Sequence, residues 1–147
     1  MTYTWLNIAG GGLMALILLA TVYLGRRYKS LDKSYFENRW KALQKSCVNK
    51  KQWCQVVVDA DGLLDEALKK RHYRGKTTGE RLVSAQHKLT QNDAVWFSHK
   101  LRNKIIENKL SKISKKDTLE ALNGFLQALR DLGALSEPTK STKVKAK

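Results

Sequence analysis

Proline, cysteine and acidic residues are all scarce in this chain. Its 147 residues include one Pro and two Cys, and 13 Asp and Glu stand against 28 Lys and Arg. Each shortage excludes something. With one proline and few β-branched runs, little opposes helix formation, and an all-α fold is expected. Two thiols, Cys47 and Cys54, with no Cys or His cluster around them do not make a zinc site. There is no Gly-rich phosphate loop, no Ser/His/Asp arrangement and no metal-ligand box, so no metal or cofactor is expected. The shortage of acids leaves a formal charge of +15 and a pI near 10.0. That balance implies anionic partners: nucleic acid, acidic lipid headgroups or acidic proteins.

Charge of either sign is missing from residues 5–25, WLNIAGGGLMALILLATVYLG. At 1.5 Å per residue such a helix would span about 31 Å, the hydrocarbon thickness of a bilayer. Trp5 and Tyr23 stand near its ends, where amphipathic rings favour the interface. The run stops at RRYK (Arg26 to Lys29), and no Lys or Arg precedes it. The positive-inside bias therefore predicts a single-pass inner-membrane protein, its N-terminus outside and its C-terminal domain cytoplasmic. A cleaved signal peptide would need a basic n-region and a small-residue cleavage site, and neither is present. Gly10, Gly11 and Gly12 either let two such helices approach closely or are simply small residues near the outer edge. In the cytoplasm both thiols stay reduced. Cys47 and Cys54 then read as small core residues on either side of a turn, and a disulfide between them would contradict the orientation.

Every formal charge follows the apolar run. Residues 26–34 form a basic linker of +3, residues 35–134 carry +9 and the tail, 135–147, carries +3. Periodicity in the middle segment predicts a compact bundle of four to five helices. Phe36, Trp40, Leu43 and Cys47 share one face of a helix from about 35 to 47. Asn49 with Gln52 resembles a capping box, and Val48 with Trp53 fits a hydrophobic staple, opening a helix from about 50 to 72. Its stripe is Trp53, Val56, Val57, Ala60, Leu63, Leu64, Ala67 and Leu68. Thr77 with Glu80 opens a short helix to about 88, and a fourth spans about 92 to 110 with Trp96, His99, Asn103, Ile106 and Leu110 on one stripe. Ser114 with Asp117 caps the last helix, whose apolar positions are Leu119, Leu122, Phe125, Leu126, Leu129 and Leu132 and which ends near Gly133. Trp40, Trp53 and Trp96 fall at apolar-stripe spacing and are read as core rather than base-stacking platforms. The tail has too little apolar surface to order itself.

The stretch HKLRNKIIENK (His99 to Lys109) asks whether a catalytic site has been lost or never existed. Together with W53…A60-D61…L63-L64-D65…L68, G79-E80-R81-L82 and D131-L132-G133, it resembles a group of small membrane-anchored bacterial helical proteins whose domain is similar to the HEPN superfamily. The resemblance covers about residues 36 to 135, and the Arg-Asn segment is its most specific part. In active HEPN ribonucleases an Arg, often followed by Asn, precedes a His by four to six residues. The pair usually works across a dimer cleft, cutting RNA without metal. Arg102 and Asn103 match the Arg-Asn, but the His position falls at Glu107. His72, His87 and His99 all precede Arg102. Histidine titrates near neutrality and can move protons both ways. A glutamate can act as a base, but it is a poor acid and repels phosphate. The resemblance thus implies a degenerate motif in Arg102, Asn103 and Glu107 and no catalysis, and it implies dimers.

The other reading of Arg102 and Asn103 is structural. Asp61 and Asp65, four apart on one helix face, are candidates to bind Arg102 and lock two helices, and His99 reads as a hydrogen-bonded interface residue. Lys69, Lys70, Arg71, Arg74 and Lys76, with Lys100 and Lys104, are candidate contacts to lipid headgroups or to nucleic-acid phosphates. A solvated face is the plain alternative. The expected role is a membrane-anchored, non-catalytic interaction or scaffold domain that meets lipid, a protein partner or another copy of itself. The alternative is a membrane-tethered RNA-binding protein or ribonuclease with a degenerate motif.

Overall fold

The computed structural model describes residues 12–23 and 30–137. The chain divides into two compact units, Met1–Ser30 and Leu31–Lys147. In the first unit residues 12–23 form a helix on which every residue is exposed. Leu16, Ile17, Leu18 and Leu19 each keep half or more of their surface. Consecutive positions point to different sides of a helix, so this segment is apolar all round. Among the described residues no helix is long and apolar enough to cross a membrane. The expected span 5–25 lies partly outside those residues.

The second unit is helical throughout its described part, without strands. Its elements are α1 (Lys33–Ser46), a 3-10 turn (Lys50–Gln52), α2 (Trp53–Lys70), α3 (Thr78–Ala85), α4 (Asn92–Ile106) and α5 (Lys115–Asp131). Short polar side chains set most of the starts. Asp32 accepts the Tyr35 N–H at 3.1 Å, Asn49 the Lys51 N–H at 3.0 Å, Thr77 the Glu80 N–H at 3.2 Å and Ser114 the Asp117 N–H at 3.0 Å. Each satisfies a donor that the first turn leaves without a partner. Ser114 and Asp117 close a side-chain pair as well, at 2.8 Å.

Helix α2 is the axis of the fold, in contact with each of the other four helices. This is why its apolar surface is broad rather than a narrow stripe. Val56, Val57, Ala60, Leu63, Leu64, Ala67 and Leu68 are all buried. They meet Phe36 and Trp40 from α1, Leu82 and Ala85 from α3, Val95 and Leu101 from α4, and Phe125, Ala128 and Leu129 from α5 in one core. Trp53 and Trp96 pack against this core. Helices α4 and α5 cross most closely at Gly124. A Cβ there would lie 2.5 Å from the Ala94 carbonyl oxygen and nearer still to Ser98 Oγ. Ser98 Oγ lies 2.8 Å from the carbonyls of both Ala94 and Ala121, so its one hydroxyl proton can be donated to either helix at the close approach.

Several boundaries differ from the sequence reading, each for a physical reason. The linker 26–34 ends early, because Leu31 is buried, Asp32 caps α1 and Lys33 begins it. The Val48–Trp53 staple does not form, since Val48 is 87% exposed. The Trp53 indole instead donates to the Cys47 carbonyl at 2.8 Å, and the segment after Asn49 winds as a 3-10 turn before α2 starts. Helices α3 and α4 stop at Ala85 and Ile106, short of the expected 88 and 110. Leu119 is 48% exposed and lies outside the core. The bundle runs past 134: Leu135 is 5% exposed and belongs to the core, so the tail cannot begin there. The rest of the expected tail, 138–147, lies outside the described residues. Both cysteines are free and partly buried.

Replacing Gly124 by Ala forces Ser98 and the α4 backbone aside. A stability loss of about 1–3 kcal/mol is expected from such overpacking, read as a lowered Tm, and an unchanged melt would show the crossing to be looser than drawn.

Candidate functional site

Helix α2 carries two carboxylates on the side facing α3 and α4, and the structure divides them. Asp61 is 1% exposed, a charge that must be compensated to be buried at all. Its Oδ1 takes the Nδ1 proton of His99 at 2.7 Å, and its Oδ2 lies 3.2 Å from Arg102 Nε. The second approach is an ion contact without hydrogen-bond alignment, since neither atom is counted as hydrogen-bonded. Asn103 closes the circuit. Its amide nitrogen faces His99 Nε2 at 3.3 Å, and its Oδ1 accepts from Arg102 at 2.9 Å.

The donor and acceptor roles around this ring are consistent in one way. With the histidine proton on Nδ1 toward Asp61, Nε2 is the acceptor the Asn103 amide needs, and Asn103 Oδ1 is free to receive the guanidinium. The circuit runs Asp61, His99, Asn103, Arg102 and back to Asp61. His99, Arg102 and Asn103 fall within one turn of α4, so the ring ties α4 to α2. Trp96 lies edge-on to the His99 ring at 5.9 Å, and Gly79 lets the start of α3 approach it: a Cβ there would be 3.5 Å from His99 Nε2. Chemically the arrangement is a closed lock. Both imidazole nitrogens are engaged, and His99 is 7% exposed.

Asp65 is bound by a different residue. Arg81 of α3 reaches it with Nε at 2.7 Å and a terminal nitrogen at 2.6 Å, while its other terminal nitrogen donates to the Gly75 carbonyl at 2.6 Å. Lys69 adds a contact at 2.7 Å. Burial pushes the Asp65 carboxyl up, but the hydrogen bonds from Lys69, Arg81 and Thr78 outweigh it and hold the group below its ordinary value of 3.8. Arg81 was not among the candidate site residues. The signal was available: Arg81 and Ala85 are four apart, and Ala85 lies on the buried face of a short helix. An arginine on such a face needs a carboxylate.

Glu107, at the place where the family pattern has histidine, is the C-cap of α4 and pairs with Lys109 on the surface. It takes no part in the ring. The three residues of the expected motif are therefore divided, with Arg102 and Asn103 in the lock and Glu107 outside it.

The basic candidates also divide. Lys69 is taken by Asp65. Lys70 pairs with Glu66 at 3.3 Å and stands over the Tyr35 ring at 5.0 Å, and Tyr35 itself donates to Glu66 at 3.0 Å. Arg71 donates to the Leu132 carbonyl at 2.7 Å, fastening the end of α5 to the end of α2. Lys69 and Lys70 stay exposed in pairs along α2 itself, and Arg71 is the one of the three that joins two helices. Arg74, Lys76, Lys100 and Lys104 are exposed, the last two one turn apart on α4. No group of three or more His, Cys, Asp or Glu that could hold a metal occurs among the described residues.

No family model, curated protein or solved structure matches the chain.

Two outcomes follow from this geometry. Asp61→Ala leaves the His99 N–H without its acceptor and the Arg102 guanidinium without its counter-charge and should cost about 3 kcal/mol or more, whereas Glu107→Ala should stay within about 0.5 kcal/mol; equal effects in thermal melts would contradict the lock. The second outcome concerns acid. Because the folded-state pKa of Asp65 is depressed, its stabilisation is present above the unfolded value of about 4 and is lost as pH falls through the lower folded value. Asp65→Asn should remove that acid-side decline from denaturant titrations, and a variant with the same decline would show that other groups cause it.

Proposed function

We propose that the chain is a membrane-anchored, non-catalytic interaction module, its N-terminal segment held in the bilayer and its HEPN-like bundle on the cytoplasmic face of the inner membrane. One observation carries this reading: helix 12–23 exposes apolar side chains all round. A helix apolar on every side is stable where lipid or protein covers every side. The sequence extends the uncharged run to residues 5–25 and ends it with Arg26, Arg27 and Lys29, as the cytoplasmic end of a span requires. The absence of catalysis is supported by the ring, which occupies both nitrogens of His99, and by Glu107, which stands apart on the surface. The HEPN-like reading rests on the Arg102–Asn103 segment and on the helical architecture around it.

The four exposed cations favour anionic contact as part of the role. Lys100 and Lys104 would add to the attraction of Arg26, Arg27 and Lys29 for acidic lipid, on the order of 1 kcal/mol for each charge that reaches the surface. The second reading is RNA binding by these residues together with Arg74 and Lys76, with salt-sensitive affinity.

Alkaline carbonate washing of membranes tests the anchor. The full chain should remain in the pellet, and protease added to right-side-out spheroplasts should leave the bundle intact. Release into the wash, or digestion of the bundle from outside, defeats the reading. Labelled RNA that the protein retards at low salt, and releases when Lys100 and Lys104 are changed to Gln, would move the assignment to the second.

A further inference from the structure

The first helix leans on α2 more than on α5, and a cleft of about 220 Å³ opens between α1 and α5. Its α1 wall is one face of that helix, Glu37, Trp40, Lys41 and Gln44, and its α5 wall includes Leu126 and Arg130. Leu135 and Ser136 close one side. None of these residues belongs to the Asp61 ring or to the basic candidates above.

Two donors in these walls have no acceptor on the protein. Trp40 is 7% exposed, yet its indole Nε1 is buried without a hydrogen bond, and the same holds for Arg130 Nε on the opposite wall. Buried donors left in this way are uncommon, because each forfeits the hydrogen bond it made with water. Glu37, the carboxylate of the α1 wall, is already held by the Ser136 hydroxyl at 2.6 Å. Two cations, Lys41 and Arg130, thus stand against one committed carboxylate. The cleft has room for one more negative charge, and an arginine fork pairs with a carboxylate in plane. Besides Gln44, the rest of the lining is apolar: the Trp40 ring, Leu126 and Leu135. Lys41 and Arg130 are long and partly exposed, so an incoming group reaches the buried donors by moving flexible side chains rather than helices.

We propose that this cleft binds a small carboxylate that carries an apolar group, with the carboxylate accepting from Arg130 and the Trp40 indole and the apolar group resting against Leu126 and Leu135. The volume suits a single residue or a free acid of that size, well below a drug-sized pocket of roughly 300 Å³ or more. Two sources share this chemistry: a free acid, and the C-terminal residue of a peptide.

The test follows the Trp40 indole N–H by 15N-resolved NMR in the full chain held in nonionic detergent. The probes are N-acetyl-leucine, N-acetyl-leucinamide, a peptide ending in leucine with a free carboxylate, and inorganic phosphate. A saturable downfield shift with N-acetyl-leucine, absent with the amide and with phosphate, is expected. Tighter binding of the peptide identifies a chain terminus as the source; equal or weaker binding identifies the free acid. Arg130→Gln should weaken the response at least tenfold. The proposal is overturned by no saturable shift up to about 10 mM, weaker than useful binding, by equal shifts with acid and amide, by a stronger response to phosphate, or by unchanged binding in a folded Arg130→Gln protein.

Discussion

A carboxylate sealed in the middle of a helical bundle has to be surrounded by donors, and Asp61 sets that condition for the whole domain. At 1% exposure it has lost its water, and two residues of α4 replace it. This fixes how α4 lies on α2 in both rotation and register, because His99 and Arg102 must both arrive at one carboxylate while Asn103 joins them. Hydrophobic contact alone would let α4 slide or roll with little penalty. A buried polar network permits one arrangement, and a half-satisfied version costs more than an apolar one. The same logic repeats one turn along α2, where Asp65 and Arg81 position the short helix α3. An eight-residue helix has little apolar area of its own, and this ion pair adds to the buried Leu82 and Ala85 in giving it a fixed place.

These locks bear directly on function. Residues that sequence alone could assign to chemistry are consumed by architecture. Arg102 and Asn103 are the case in point: they are bound to Asp61 and His99. Here the histidine precedes them, its ring is edge-on to Trp96 and boxed in near Gly79, and both its nitrogens have partners. What remains open at the periphery includes the candidate cations Arg74, Lys76, Lys100 and Lys104, an apolar N-terminal helix and the cleft between α1 and α5.

Much of the bundle could be read from the chain. The capping residues Thr77 and Ser114 announced two helix starts, and the α2 stripe named its buried residues correctly because helical periodicity and burial coincide there. What escaped depended on partners distant in sequence. Spacing placed Asp61 and Asp65 on one face but could not say which would meet Arg102, since the decision rests on Arg81 of α3 binding Asp65. Val48 and Trp53 had the right spacing for a staple, but the indole found a carbonyl acceptor and the chain took a 3-10 turn instead. The C-terminal limit was misread at Gly133. Its positive φ ends α5, but the Ala134 N–H returns to the Leu129 carbonyl at 2.8 Å, the closure of a Schellman motif, in which an apolar residue after the glycine packs back on the helix. The apolar pair Ala134 and Leu135 was the legible sign that the core had not ended.

The central position of α2 also bears on the order in which the domain is made. Helices α1 and α2 emerge from the ribosome well before α5, yet α5 covers much of the α2 surface and Leu135 completes the core. Until the last residues of the bundle leave the exit tunnel, the apolar flank of α2 has no permanent cover. Domains of this kind acquire their native packing late in translation, and the exposed intermediate is the form that chaperones or aggregation compete for.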